Sequence, residues 1–240
     1  MDFINKFIHD FNTCFIVKDR WKYIVEGLFN TIEIALVAVI MGILIGTIIA
    51  LIRTLHDLNI DDMSGFKKII LKILNAISEL YVTVIRGTPV MIQIMIMFFV
   101  IFSSARNGMP VAMLTFGINS GAYVAEIIRA GIMSVDIGQS QAGRSLGLSY
   151  VKTMAYIVIP QAIKNVLPAL GNEFIALLKE TSVACYVAVN DLTKGGEIIR
   201  SITYIQAMPL LAVALLYLLM VVLLSKLVKM LERKLAESEN

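Results

Sequence analysis

IALVAVIMGILIGTIIALI, residues 34–52, carries no charged side chain, and its reading decides the class of the protein. A helix rises ~1.5 Å per residue, so this run approaches the length needed to cross a bilayer core of roughly 30 Å. Working outward, further uncharged runs occupy 87–105, 107–125 and 201–225. The 240 residues are 58% hydrophobic and 16% charged, with a mean hydropathy of +0.80. Soluble domains hold nearer ~25% charged residues, so the composition indicates a polytopic membrane protein. A net charge of +3, thinly scattered, excludes a nucleic-acid partner. Cys14 and Cys185 cannot form a disulfide framework, and no Cys/His spacing suits a metal. His9 and His56 lie in polar flanks, where they supply no material for a catalytic triad.

These runs imply an all-α fold of about five transmembrane helices. Residues 1–22 read as an interfacial amphipathic segment, 23–230 as the transmembrane domain, and 231–240 as a charged tail. The first span is expected over Tyr23–Ile52, where Gly42 and Gly46, four residues apart, would let another helix approach closely. Arg53–Lys68 reads as a loop that includes Asp61 and Asp62. A helix beginning near Lys67 then meets RGTP at 86–89, where Gly and Pro break it. The second span is expected at Pro89–Ser104 and the third at Met109–Met133. A discontinuous fourth crossing is punctuated by Pro160, Pro168 and Gly171. NDLTKGGEIIRS, 190–201, reads as a second polar loop before the fifth span, Ile202–Ser225. Lys and Arg are in excess after spans one and three and in the tail, which favours an outside N-terminus and a cytoplasmic C-terminus.

GQSQAGRS, 138–145, superficially fits a phosphate loop with Arg144 in place of Lys. That motif requires a strand before it and a helix after it in a soluble domain, and neither context is present. Read instead as QAGRSLG at 141–147 followed after nine residues by IVIP at 157–160, the segment 138–160 resembles the EAA signature of bacterial ABC importer permeases and matches every interval. RGTPVMIQ at 86–93, SGAYVAEIIRAGI at 120–132 and LPALGNEFIALLKETS at 167–182 are similar to the polar amino-acid permeases of that group, which handle histidine, arginine, glutamine, glutamate and cystine. Gln141, Gly143 and Ile159 depart from the usual residues. The resemblance implies a type I ABC importer permease fold in the inner membrane, with a short cytoplasmic coupling helix built on Gln141, Ala142, Gly143, Arg144 and Gly147. It implies a second permease subunit, two ATP-binding subunits, an extracytoplasmic solute-binding protein and an amino-acid substrate. No cofactor would be bound by this chain, because ATP and Mg would be used by the partner ATPase.

Ionisable groups inside spans are functional candidates by default. If Pro160 marks the cytoplasmic interface, Glu173 lies roughly 20 Å further along a helix, near mid-membrane, and Lys179 about 28 Å along, outside it. A zwitterionic amino acid needs an acceptor for its ammonium and a cation for its carboxylate, and Glu173, with Asn172 beside it, and Lys179 offer both. Asn119, Tyr123 and Glu126 recur on one helical face, and Thr88 and Gln93 are polar positions around the second span. The competing reading makes Glu126–Arg129 and Glu173 with a nearby Lys structural pairs. A secondary ion-coupled carrier would also explain charges in spans, whereas a membrane enzyme would need a convergent catalytic set that the chain lacks.

Overall fold

The computed structural model describes residues 2–61 and 63–237. Asp62 and the last three residues of the expected tail lie outside the described residues. Among the described residues every regular element is helical. α1 (Asp2–Phe11) is followed by a π turn at Asn12–Ile16 and a 3-10 turn at Val17–Asp19, and then by α2 (Trp21–Asn59), α3 (Gly65–Gly87) and α4 (Val90–Ile96). α5 (Gly108–Met133), α6 (Ile137–Ser145), α7 (Tyr150–Thr153), α8 (Ile159–Glu180), α9 (Leu192–Thr203) and α10 (Ala207–Glu237) complete the order. α2, α5 and α10 are each long and apolar enough to cross a membrane, and α3 with α4 and the π turn after it adds a fourth crossing if the broken pair is one span. α8 carries Lys164, Glu173, Lys179 and Glu180 and does not meet that measure, so the expected count of five crossings is approximate.

Three expected boundaries are corrected. The loop expected at Arg53–Lys68 shrinks to the few residues between α2 and α3, because α2 continues to Asn59 with its polar side chains engaged by other helices. The loop expected at 190–201 is mostly α9, started by Asp191, whose carboxylate accepts from the Thr193 and Lys194 backbone N–H groups at 3.2 and 2.9 Å. The interruption expected at Pro168–Gly171 is absent. α8 runs through Pro168, which removes a single backbone donor. Gly171 marks close packing instead, since a Cβ there would lie 2.7 Å from Val228 of α10. The departures from α geometry flank α8, as a π turn at Met154–Val158 and a 3-10 stretch at Thr181–Val187.

The chain divides into two compact units. The first contains the residues up to Ala38, Val90–Phe116 and Ile175–Lys226. Its core gathers Cys14 and Phe15 from the N-terminal turn, Ile24 of α2, Leu192 and Ile199 of α9, and Val213 of α10. Cys14 is thus a packing residue, fully buried with its sulfur 3.9 Å from the Thr203 hydroxyl. α9 meets α2 almost backbone to backbone. A Cβ on Gly27 would sit 2.5 Å from the Asp191 carbonyl oxygen, and one on Gly195 would sit 2.4 Å from that of Tyr23. The Thr31 hydroxyl accepts from the Leu192 N–H at 3.0 Å, and the Asn30 amide donates to the Asn190 carbonyl at 2.8 Å, so the polar groups exposed by this approach are paired.

The second unit contains Val39–Pro89, Gly117–Phe174 and the chain from Leu227 onward. Here the expected close approach at Gly42 and Gly46 is realised against α5. Added Cβ atoms would lie 2.7 Å from Ser120 Oγ and 2.6 Å from Val124 Cγ1. α5 answers with its own pair four apart, Gly117 against Met41 and Gly121 against Ile45 and Tyr81. Two small-residue stripes facing each other let dispersion contacts and backbone approach hold helices that lipid would solvate equally well. α3 joins the seam through Val82, which packs on Ala122 and Ala125, and through Tyr81, whose hydroxyl donates to the Ile118 carbonyl at 2.6 Å.

Candidate functional site

The polar side chains of the second unit converge on α5. Glu126 accepts from the Arg53 guanidinium on α2 and lies 3.9 Å from that of Arg86 at the end of α3. Arg86 also covers the Tyr123 ring, its guanidinium carbon 5.1 Å from the centroid, so one cation faces both an anion and a π surface. One turn further along α5, Arg129 pairs with Asp57 of α2 at 2.8 Å, and Asp57 also meets His56 at 3.4 Å. The structural pair expected between Glu126 and Arg129 is therefore replaced by two interhelical pairs. Sequence reasoning missed Arg53, Asp57 and Arg86 as members of this cluster. The signal was present in the i, i+4 spacing of Arg53 and Asp57, which continues the α2 period.

Glu173 of α8 is half-buried and reaches α5, where the Ser120 hydroxyl donates to its carboxylate at 3.3 Å. Asn119, beside Ser120, is buried. The structure thus brings Glu173 close to the α5 face that holds Asn119, Tyr123 and Glu126, and adds Ser120, which the sequence reading passed over. Thr88 is exposed at the α3 terminus, its hydroxyl donating to the Val84 carbonyl at 2.9 Å. Asn172 is exposed next to Glu173. Gln93, half-buried on α4, and Lys179, exposed at the last turn of α8, belong to the first unit.

The expected coupling segment forms α6. Asp136 caps its start, accepting from the Gly138 N–H at 2.7 Å. Gly147, at φ +84°, ends the following turn in a left-handed conformation that glycine adopts without strain. Gln141, Ala142 and Arg144 are exposed, and Leu146, Val151 and Tyr156 show more than 70% of their surface nearby. Gly143 differs from its neighbours. It is buried, and an added Cβ would lie 2.8 Å from Ile157 and 2.9 Å from Thr153 of the same chain. Its smallness therefore serves packing of α6 on the segment that follows, while the outward surface belongs to Gln141, Ala142 and Arg144. Beside α6 lies a cleft of about 580 Å³ that Gln141, Arg144, Leu58 and Tyr150 help to line.

Residues 68–237 match the family described as binding-protein-dependent transport system inner membrane component. The chain belongs to this family. The resemblance read from 86–93, 120–132 and 138–160 is borne out. A putative glutamine transport system permease of Rickettsia bellii is 34% identical over 90% of this chain and 94% of its own. The arginine transport system permease of Bacillus subtilis is 34% identical over 90% and 94%, and the glutamine transport system permease of Escherichia coli 33% identical over 88% and 92%. A crystal structure of an amino acid ABC transporter with histidines aligns at a TM-score of 0.78 and 39% identity, over 89% of this chain and 94% of that one. An inward-facing MetNI methionine ABC transporter, 18% identical, aligns at a TM-score of 0.71 over 88% and 95% and shares the fold. This permease is accordingly a multi-pass inner-membrane subunit of an ATP-binding-cassette importer, a transport component and not an enzyme. Its family works with a separate ATPase and a binding protein. The ion-coupled carrier weighed from the sequence has no counterpart among these relatives.

Proposed function

We propose that this permease moves polar amino acids inward, with α6 as the surface that receives motion from the ATP-binding subunits. The observation that carries the proposal is the exposure of Gln141, Ala142 and Arg144 on a capped helix whose buried glycine, Gly143, is committed to the chain's own packing. A rigidly seated helix with an outward polar face and apolar neighbours suits docking into a protein cleft, where Arg144 supplies charge-assisted hydrogen bonds. Gln141 keeps an acceptor and adds a donor where related permeases have a carboxylate. The working assembly in this reading holds two permease subunits, two ATPase subunits that bind ATP and Mg, and an extracytoplasmic binding protein. The N-terminus is outside and the C-terminus cytoplasmic, as the Lys and Arg bias favours.

Cargo recognition in this reading uses Glu173 of the second unit for the substrate ammonium, with Asn119, Tyr123, Glu126, Thr88 and Asn172 of the same unit contributing polar contacts, while Gln93 and Lys179 are the polar candidates of the first unit. The names of the glutamine and arginine relatives support the class of cargo. The 3.3 Å hydrogen bond from Ser120 supports Glu173 as the direct ligand, because it orients the carboxylate toward the polar face of α5. Reconstitution with the ATPase and binding protein, followed by uptake of a panel of radiolabelled amino acids, tests the assignment. Glu173→Gln is expected to cut uptake of the preferred amino acid at least tenfold while basal ATP hydrolysis falls less than twofold. Unchanged uptake across the panel would return Glu173 to a structural role.

A further inference from the structure

We propose that a groove on the second unit, between the end of α2, the first turns of α3 and α7, is a binding site for an anionic phospholipid of the surrounding bilayer. The groove has a volume of about 570 Å³ and is walled by Leu55, Ile70, Leu71, Leu74 and Val151, with Lys67 the one charged side chain among the described residues that line it. Positions 67, 70, 71 and 74 follow the i, i+3, i+4, i+7 spacing of a single helix face, so the ammonium stands at the first turn and aliphatic groups continue for about 10 Å beyond it. A charge at the mouth with hydrocarbon below repeats the order of a phospholipid headgroup and its acyl chain. Asn59 and Tyr150, which also line the groove, are tied to each other at 3.2 Å, so that wall presents a paired polar contact to an apolar occupant.

The charge around the mouth selects the headgroup. Outside the lining, Lys68 follows Lys67 at the first turn of α3, and Lys152 follows Val151 on α7. With Lys67 they outnumber the acids that precede α3 in the sequence, Asp61 and Asp62, while Asp57 is already held by Arg129. Basic clusters of this kind at the end of a span attract anionic over zwitterionic lipid. The exposed Ile73, Ile77 and Leu80 further along α3 continue the apolar surface from the groove into the span, which favours a lipid over a folded protein as the occupant. A lipid seated here touches α2, α3 and α7 together, and α7 is joined to α6 by the turn at Gly147. The site rests on the functional reading only in taking the α6 end of the molecule as a membrane face.

The test measures lipid binding directly and is independent of transport. The full chain in detergent is titrated with phosphatidylglycerol and, separately, with phosphatidylcholine of the same acyl chains, and bound lipid is counted by native mass spectrometry. Phosphatidylglycerol is expected to bind at least fivefold more tightly. Lys67→Gln should weaken phosphatidylglycerol about fivefold and leave phosphatidylcholine unchanged, since one lysine near an anionic headgroup is worth about that factor. Leu71→Trp, which fills the groove without altering charge, should lower binding of both lipids, and Lys226→Gln on α10 should change neither. Equal affinity for the two lipids, or equal losses in Lys67→Gln and Lys226→Gln, overturns the proposal. So does efficient disulfide cross-linking between two chains carrying Ile70→Cys, which would make the groove a contact between permease copies.

Discussion

Along α2, the residues in the first unit and those in the second are fixed by different chemistry. In the first, Gly27, Asn30 and Thr31 meet the Asp191 region through backbone contact and short neutral hydrogen bonds. In the second, the Gly42 and Gly46 seam gives way to Arg53 and Asp57, which hold α5 through charged side chains. A backbone contact has one geometry and is lost outright if a side chain intrudes. Long charged side chains can change partners while their helices shift, and Glu126 already has two arginines within reach. The comparison teaches that one stretch of α2 is built as a fixed joint, and that the other has the kind of contact a transporter can break and remake as it alternates.

The fixed joint is most sensitive to added volume. Gly27→Leu should destabilise the purified protein by about 3 kcal/mol, because the new side chain meets Asp191 and Leu192 backbone that cannot turn aside. Thermal unfolding in nanodiscs would show it, and a near-wild-type midpoint would mean that the joint yields. Glu126→Gln should cost less, about 1–2 kcal/mol, since the Arg53 and Glu126 side chains keep some solvent exposure that screens the pair. That variant should also change the rate of transport by a larger factor than it changes the unfolding midpoint. Equal effects on both would argue against an exchangeable contact.

The smallest expected effect sharpens the same contrast through pH. Burial raises the Asp191 carboxyl from its usual value to about 6, against the lowering effect of the hydrogen bonds from Lys194 and Thr193. The folded state therefore holds this proton more tightly than the unfolded chain does. Its stabilising contribution is complete below about pH 4 and is lost as pH rises through about 6. Asp191→Asn retains a capping oxygen without the titration. The difference in unfolding midpoint between wild type and Asp191→Asn should move against the wild type across that window and stay flat above it. A difference independent of pH would show that Asp191 is not titrating there.

Much of this was legible in the sequence. The apolar runs located the cores of α2, α5 and α10, and the spacing from Gln141 to Pro160 located α6 because motif intervals survive without knowledge of contacts. The Gly42 and Gly46 pair announced a helix seam, but its complement on α5, Gly117 and Gly121, was masked by the polar Asn119 and Ser120 between them. Arg53 and Asp57 read as loop residues in the sequence because polar side chains there resemble exposed ones, whereas partners on α5 carry the helix onward. α9 was missed for the same reason, although Asp191 followed by an apolar period is a helix start. The inward role of Gly143 depends on Thr153 and Ile157, which only the fold brings to it.

The most direct measurement compares Ala142→Trp with wild type in the reconstituted complex, reading amino-acid uptake, ATP hydrolysis and thermal stability together. Ala142 is exposed, whereas Gly143 beside it is buried against Ile157 and Thr153. A bulky residue there should leave the unfolding midpoint within about 0.5 kcal/mol of wild type, as surface substitutions do. Uptake should fall at least tenfold because the indole occupies the space of the partner cleft. A complex with Ala142→Trp that transports amino acids at the wild-type rate would contradict the assignment of α6 as the coupling surface.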